Sequence, residues 1–365
     1  MELSQLIIET RKFLGLSQFK EALKLLKKYK SQFNESCEFL QIFGETYLEN
    51  GKVEKAYEFL EKSCSMDLEG HYGSEKFFYL GQIIGGSKGI EFIDHGINQL
   101  TTKLQQNEES SEITKKQLIK KLNQGLFAEI EIWMTDLCME PEAETKCNEL
   151  INQSLTIDDS NPESWSLLAS IRISQQRDQE ASEAITKAWD LFESKKTGLE
   201  DNNNINTGEL DSEDLSNEYV ELIQPLITLA RFSIELGLYE LGGVIASNVR
   251  DIDEDNVESL YLEGFANYLI VKKHQYDSKF PNYDADQFDG FIINSGDVKF
   301  NENLKQVKLN LEQVLKISNQ FDVDEDIINH SQFLISEIGD FKIDDDLDIN
   351  IDENNWEDKI NSDEE

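Results

Sequence analysis

Long apolar runs are missing from this chain: no stretch approaches the roughly 18 consecutive apolar residues that a membrane-crossing helix needs. Proline occurs only four times in 365 residues and extended β-rich runs are absent, so helices meet few interruptions and strands have little to build on. The four cysteines, Cys37, Cys64, Cys138 and Cys147, form no CxxC pair and have no histidine cluster beside them. That pattern speaks against a zinc module or a disulfide-stapled secreted scaffold and leads us to expect reduced thiols in the cytoplasm and nucleus. The first residues, MELSQLIIETRKFLG, mix acids and bases along an amphipathic helix without the basic-then-apolar order of a signal peptide. We expect no membrane partner.

Cations are scarce as well. There are 34 Lys and Arg against 73 Asp and Glu, a net charge of −39. Phosphate recognition rests on clustered cations, so nucleic acid is disfavoured as a direct partner. A basic protein is favoured, because a field of this size speeds its arrival and repels wrong partners.

Catalytic signatures are lacking. No GxxxxGK[ST] phosphate loop, GxSxG elbow or HExxH pair occurs. The GGSKG stretch from Gly85 to Gly89 follows no strand and reads as a turn between two helices. His71, His95, His274 and His330 are isolated from one another and from the cysteines. Asp346, Asp348, Asn350 and Glu357 fall at the first, third, fifth and twelfth places of a calcium loop, but Ile351 stands where the sharp turn needs glycine. Asp251, Asp253 and Asp255 fail likewise, with Asn256 in the glycine place and Leu262 in the glutamate place. We expect no metal, no cofactor and no enzyme.

What is present is a repeated helical pattern. In GETYLENGKVEKAYEFL, Gly44 and Tyr47 share a face with Leu40 and Phe43, Asn50-Gly51 supplies a stop, and Val53, Ala56 and Leu60 restart the 3.6-residue period. Glycine inside a helix costs about 1 kcal/mol relative to alanine, so Gly44 predicts a close approach of the two helices opposite Ala56. The offsets recur from Ala230, with Leu226 before it and Gly237, Tyr239 and Gly242 after it. Gly264 follows 34 residues later with Leu260 four back. Another copy starts at Ala169, after Trp165 and Leu168, with Ala181, Ile185 and Ala188 on its second helix. Weaker copies start at Gly81 and in the first residues, where Phe19, Ala22 and Leu26 share a face. A further pair is joined through Pro141.

The pattern resembles the tetratricopeptide repeat, a helix–turn–helix unit of about 34 residues. It predicts an all-α, TPR-like right-handed helical solenoid of about seven helix pairs over residues 1–339. Flexible insertions are expected at 194–217 and 272–298. The second holds Tyr276, Phe280, Tyr283 and Phe288, so it either packs onto the solenoid or touches a partner. From Asp340 the last 26 residues carry 12 acids and 2 bases, which predicts a disordered acidic tail.

With FFYLGQIIGGSKGIEFIDHGINQL in the third repeat, NPESWSLLASIRISQQRDQEASEAITKAWDLF in the fifth, broken later repeats and an acidic end, the chain resembles the fungal tetratricopeptide-repeat assembly chaperones of large-subunit ribosomal protein L four. The resemblance implies a dedicated, non-enzymatic chaperone that captures the new ribosomal protein, shields its basic internal loop and accompanies it to pre-60S particles. A monomer with one client is expected.

In such solenoids the first helix of each pair lines the concave face. The expected partner-binding residues are Gln41, Glu45 and Glu49; Phe78 and Gln82; Glu129 and Trp133; and Glu258, Tyr261, Phe265 and Tyr268, with Leu48, Ser166 and Ser170 nearby. Carboxylates and rings on one surface suit Lys and Arg side chains. The stripe from Glu258 to Tyr268 can instead be core. The alternative function is a TPR scaffold or co-chaperone docking the acidic C-termini of heat-shock chaperones, which would need several cations along the first helices.

Overall fold

Short polar residues start several of the helices. Ser36 accepts a hydrogen bond from the Phe39 amide, Asn161 from Glu163 with Pro162 at the first helical position, and Asn256 from Ser259, each satisfying an otherwise orphaned N–H. The computed structural model describes residues 1–15, 18–106, 112–204, 218–321 and 323–339. Among the described residues there is no strand.

The chain divides into two compact units, Met1–Glu254 and Asp255–Glu365. In the first, helices pair in chain order: α1 (Leu3–Gly15) with α2 (Phe19–Phe33), α3 (Cys37–Glu49) with α4 (Val53–Met66), and α5 (Glu75–Ile84) with α6 (Gly86–Gln106). There follow α7 (Glu112–Met134) with α8 (Ala143–Ile157), α9 (Pro162–Ser174) with α10 (Asp178–Asn204), and α11 (Ile223–Glu235) with α12 (Tyr239–Arg250). The first helices of successive pairs also touch one another, from α1 through α3, α5, α7 and α9 to α11. They therefore form one face.

Small residues set the pair spacing. A β-carbon on Gly44 would lie 2.6 Å from Leu60 Cγ and 3.4 Å from the Ala56 carbonyl oxygen; on Gly81 it would lie 2.5 Å from Ile93 Cγ1 and 2.7 Å from the Gly89 carbonyl oxygen. Rings fill the core behind the third and fourth helices, with Phe43 5.3 Å from Phe39 and 4.5 Å from Phe59, centroid to centroid. The loop after α4 is pinned from inside. Fully buried Lys76 donates to Asp67 at 2.7 Å and to the Gly73 carbonyl at 2.6 Å, while Asp67 also accepts from the His71 and Tyr72 amides. Burial alone would raise the Asp67 carboxyl, but these donors hold it at about 2.

The second unit holds α13 (Val257–Lys279), α14 (Ala285–Asp289), a 3-10 turn at Val298–Phe300, α15 (Asn301–Ser318) and α16 (Glu325–Ile338), with α13 and α15 as its helical pair.

Helices run on past the expected start of both insertions. Residues 194–204 continue α10: Leu199 and Lys196 are buried, and Lys196 donates to Asn248 at 2.7 Å and pairs with Asp251. Residues 205–217 lie outside the described residues, as does the tail from 340. Residues 272–279 continue α13, because Tyr276 is fully buried among the rings of Phe280, Tyr283, Phe288 and Phe291. Lys272 donates to the Asp289 carbonyl at 3.0 Å, and the Gln275 carboxamide bonds both the carbonyl and the amide of Asn294. The aromatic segment thus packs on its own helix.

Candidate binding groove

Four of the first helices in the Met1–Glu254 unit surround a cavity of about 560 Å³. On α5 the lining positions are Glu75, Phe78, Tyr79 and Gln82, and on α7 they are Gln124, Phe127, Ala128 and Glu131. On α9 they are Glu163, Ser166, Leu167 and Ser170. Each set follows i, i+3, i+4, i+7, the single stripe of a helix. Pro225, Thr228 and Phe232 of α11 close the far side.

The floor is apolar and the rim acidic. Phe78 is almost wholly buried, while Tyr79, Phe127, Leu167 and Phe232 are half-buried. Glu75, Glu131 and Glu163 come from three successive repeats. Gln82 Nε2 donates to Glu131 at 2.8 Å, joining α5 to α7 across the groove, and Lys121 pairs with Glu75. Burial works to raise the Glu75 carboxyl, but Lys121, a backbone N–H and Arg11 together hold the group below its ordinary value. Tyr79 is pushed up, by burial first and then by the carboxylates of Glu45 and Glu75.

The acidic face continues toward the N-terminus. Glu45 lies 3.7 Å from Arg11; burial raises its carboxyl, Arg11 opposes that, and Glu75 and Glu49 add to it. Burial also raises Glu49. A carboxylate rim over an aromatic floor offers charge-assisted hydrogen bonds to Lys and Arg heads and apolar surface to their stems.

The expected residues fall in four places. Phe78 and Gln82, with Ser166 and Ser170, line the cavity. Gln41 and Glu45 hold the matching places on α3, where Gln41 is buried and Glu45 half-buried; Glu49 is exposed at the end of that helix.

Glu129 and Trp133 are a correction: they turn away from the cavity toward α6 and α8. Trp133 packs into the cluster of Ile93, Ile130 and Cys147 and donates to Glu129 at 3.3 Å. Burial, with Asp94 beside it, pushes the Glu129 carboxyl up to about 7. The phase was missed because α7 packs on α5, α6, α8 and α9 and so shows more than one apolar face.

The stripe of the Asp255–Glu365 unit lies against α16. Tyr268 is buried with its hydroxyl on Glu337, Tyr261 bonds His330 Nδ1 at 2.7 Å, and the rings of Phe265 and His330 are 5.1 Å apart. Glu258 is half-buried in the first turn of α13. For Tyr268 the core alternative is the outcome, with α16 supplying the cover.

Glu75, Tyr79, Phe127, Glu131 and Glu163 were not anticipated. One signal was available: six residues before each small marker stands Glu38, Glu75, Glu163, Gln224 or Glu258. Four of five are glutamate, each in the first turn of its helix. There it complements the helix dipole as well as the groove.

A family model described as the ACL4 C-terminal domain matches residues 255–362, beginning where the second unit begins. A protein of Schizosaccharomyces pombe named "Probable assembly chaperone of rpl4" is 30% identical over 274 residues, covering 74% of this chain and 75% of the relative. The chain belongs to this family of rpl4 assembly chaperones. A relative of the same name from Emericella nidulans is 24% identical over 241 residues, covering 64% of this chain and 55% of that protein. The solved structure of an assembly chaperone of RpL4, Acl4 residues 1–338, superposes with a TM-score of 0.56 at 24% identity, covering 76% of this chain and all of that one. Family and fold agree on an all-α, TPR-like architecture.

Proposed function

We propose that the chain is a dedicated chaperone of ribosomal protein L4: it binds the newly made protein through its basic internal loop and shields it until incorporation into pre-60S particles. The observation that carries this reading is the groove, where Glu75, Glu131 and Glu163 ring the floor made by Phe78 and Phe127. A loop destined to thread through RNA is rich in Lys and Arg and binds stray polyanions when free. The groove supplies it with temporary anionic surroundings.

The activity is binding, without a catalytic step, by a monomer holding one client, with neither nucleic acid nor membrane contacted directly. It operates in the cytoplasm, where the client is made, and in the nucleus, where the particle is assembled. Phe78 and Gln82 contact the client in the cavity, and Glu45 and Glu49 extend the acidic track. The heat-shock docking alternative has little support, since Arg11 and Lys121 on this face already pair with Glu45 and Glu75.

The test is the association rate of the full chain with the basic loop of L4 as salt is raised. The rate should fall steeply as the Debye length shrinks below about 10 Å, and replacing Glu75, Glu131 and Glu163 by Gln should weaken binding at least tenfold. A rate indifferent to salt, with affinity unchanged in the triple variant, would leave the charge serving solubility alone.

A further inference from the structure

In a chain of net charge −39, α2 stands apart. It carries Lys20, Lys24, Lys27, Lys28 and Lys30 with Glu21 as its one acid. Ala22, Leu23 and Leu26 are buried against the unit, which leaves Lys20, Lys24 and Lys27 exposed. Lys52, in the turn after α3, joins them, and the four lysines with Leu23 and Asn50 line a hollow of about 410 Å³. Asn50 fixes its place: its Nδ2 donates to the Phe19 and Thr46 carbonyls, both at 2.8 Å, tying the Lys52 turn to the first residue of α2.

Other lysines here are engaged, Lys30 over the Phe59 ring at 5.0 Å and Lys62 on Glu35 at 3.4 Å. The four around the hollow are different. Among the described residues no ion pair takes in Lys20, Lys24, Lys27 or Lys52, although the chain has 73 carboxylates. Four ammonium groups facing one depression repel each other until an anion arrives.

We propose that this hollow docks a short acidic peptide segment of a partner protein. Size selects that partner among polyanions. Lys20 and Lys27 are seven residues apart on a helix, about 10 Å, close to the physiological Debye length of about 8 Å. A few consecutive Asp or Glu side chains fit within that footprint. An RNA duplex extends well past it and would meet the surrounding negative field. The hollow lies on a second helix of a pair, apart from the groove, so docking here leaves the groove free.

A fluorescein-labelled tetrapeptide of alternating Asp and Glu, its Asn/Gln counterpart and a short RNA duplex are titrated separately against the full chain at low salt. We expect saturable binding of the acidic peptide, no binding of the amide peptide, and at least tenfold weaker binding for the Lys24→Glu/Lys27→Glu variant. Lys88→Glu/Lys187→Glu, an equal charge change at exposed lysines elsewhere in the unit, should change it less than twofold. Lys20→Gln/Lys52→Gln, also expected to weaken binding, serves if the first pair impairs folding by circular dichroism. The proposal is overturned if the acidic peptide binds no better than the amide peptide. An equal loss from both reversal pairs also overturns it, as does tighter RNA binding abolished by the α2 substitutions.

Discussion

Helices α5 and α7 lie side by side in the groove and give it the same four-place stripe, yet only α5 can be phased from its sequence. In α5 Gly81 marks the side that must meet α6, so the groove side follows by geometry. In α7 the equivalent place is held by Ile130, buried in a cluster of apolar residues from its neighbours. A small residue announces where two backbones touch; an isoleucine announces only that its side is covered.

The largest expected effect breaks α5 at its marker. Gly81→Val forces a β-carbon toward the Gly89 carbonyl and Ile93, and overpacking against backbone should cost about 3 kcal/mol, read as a lowered denaturant midpoint. Gln124→Val, on the open side of α7, should stay within about 0.5 kcal/mol. Equal losses would mean that the two helices are packed alike after all.

Next in size is the contrast between the two sides of α7. Phe127→Ala should weaken binding of the basic loop at least tenfold, about 1.4 kcal/mol, whereas Trp133→Ala should lower stability and leave the affinity of the folded fraction within twofold. The opposite ranking would put the binding surface on the α6–α8 side.

The buried side of α7 also titrates. Folded Glu129 keeps its proton up to about 7, while an unfolded glutamate ionises near 4.3. Between those values the folded state holds more protons, so this group makes the protein more stable as pH falls through 7, with the gain complete below about 4.3. Unfolding midpoints at several pH values should show that slope reduced in Glu129→Gln, with Trp133 emission following the same transition. An unchanged slope would remove Glu129 as its source. The smallest effect is at the groove rim: Gln82→Ala removes one exposed hydrogen bond to Glu131 and should cost about 0.5 kcal/mol or less.

The helical pairs were legible because each needs a stop such as Asn50-Gly51 and room such as Gly44, and both needs write themselves into residue type. The groove was legible only where such a marker fixed the helix phase, as for Phe78 and Gln82. Insertion boundaries were hidden for another reason. Polar residues such as Lys196, Lys272 and Gln275 look solvent-bound in sequence, yet each is buried with its polar end satisfied by a partner. Tertiary hydrogen bonds extended helices that composition would have ended. For the aromatic segment the sequence left packing and partner contact both open, and packing is the outcome, its rings serving Tyr276.

The four groove helices are rungs, one per repeat, and neighbouring packed helices stand about 8–10 Å apart. Three such gaps measure roughly 24–30 Å, and an extended chain advances about 3.3 Å per residue, so the cavity seats only about seven to nine residues of an extended client at a time. Capacity is therefore counted in repeats: a longer loop must bend back, run on past Glu45 toward α1, or leave part of its length to be guarded by something else.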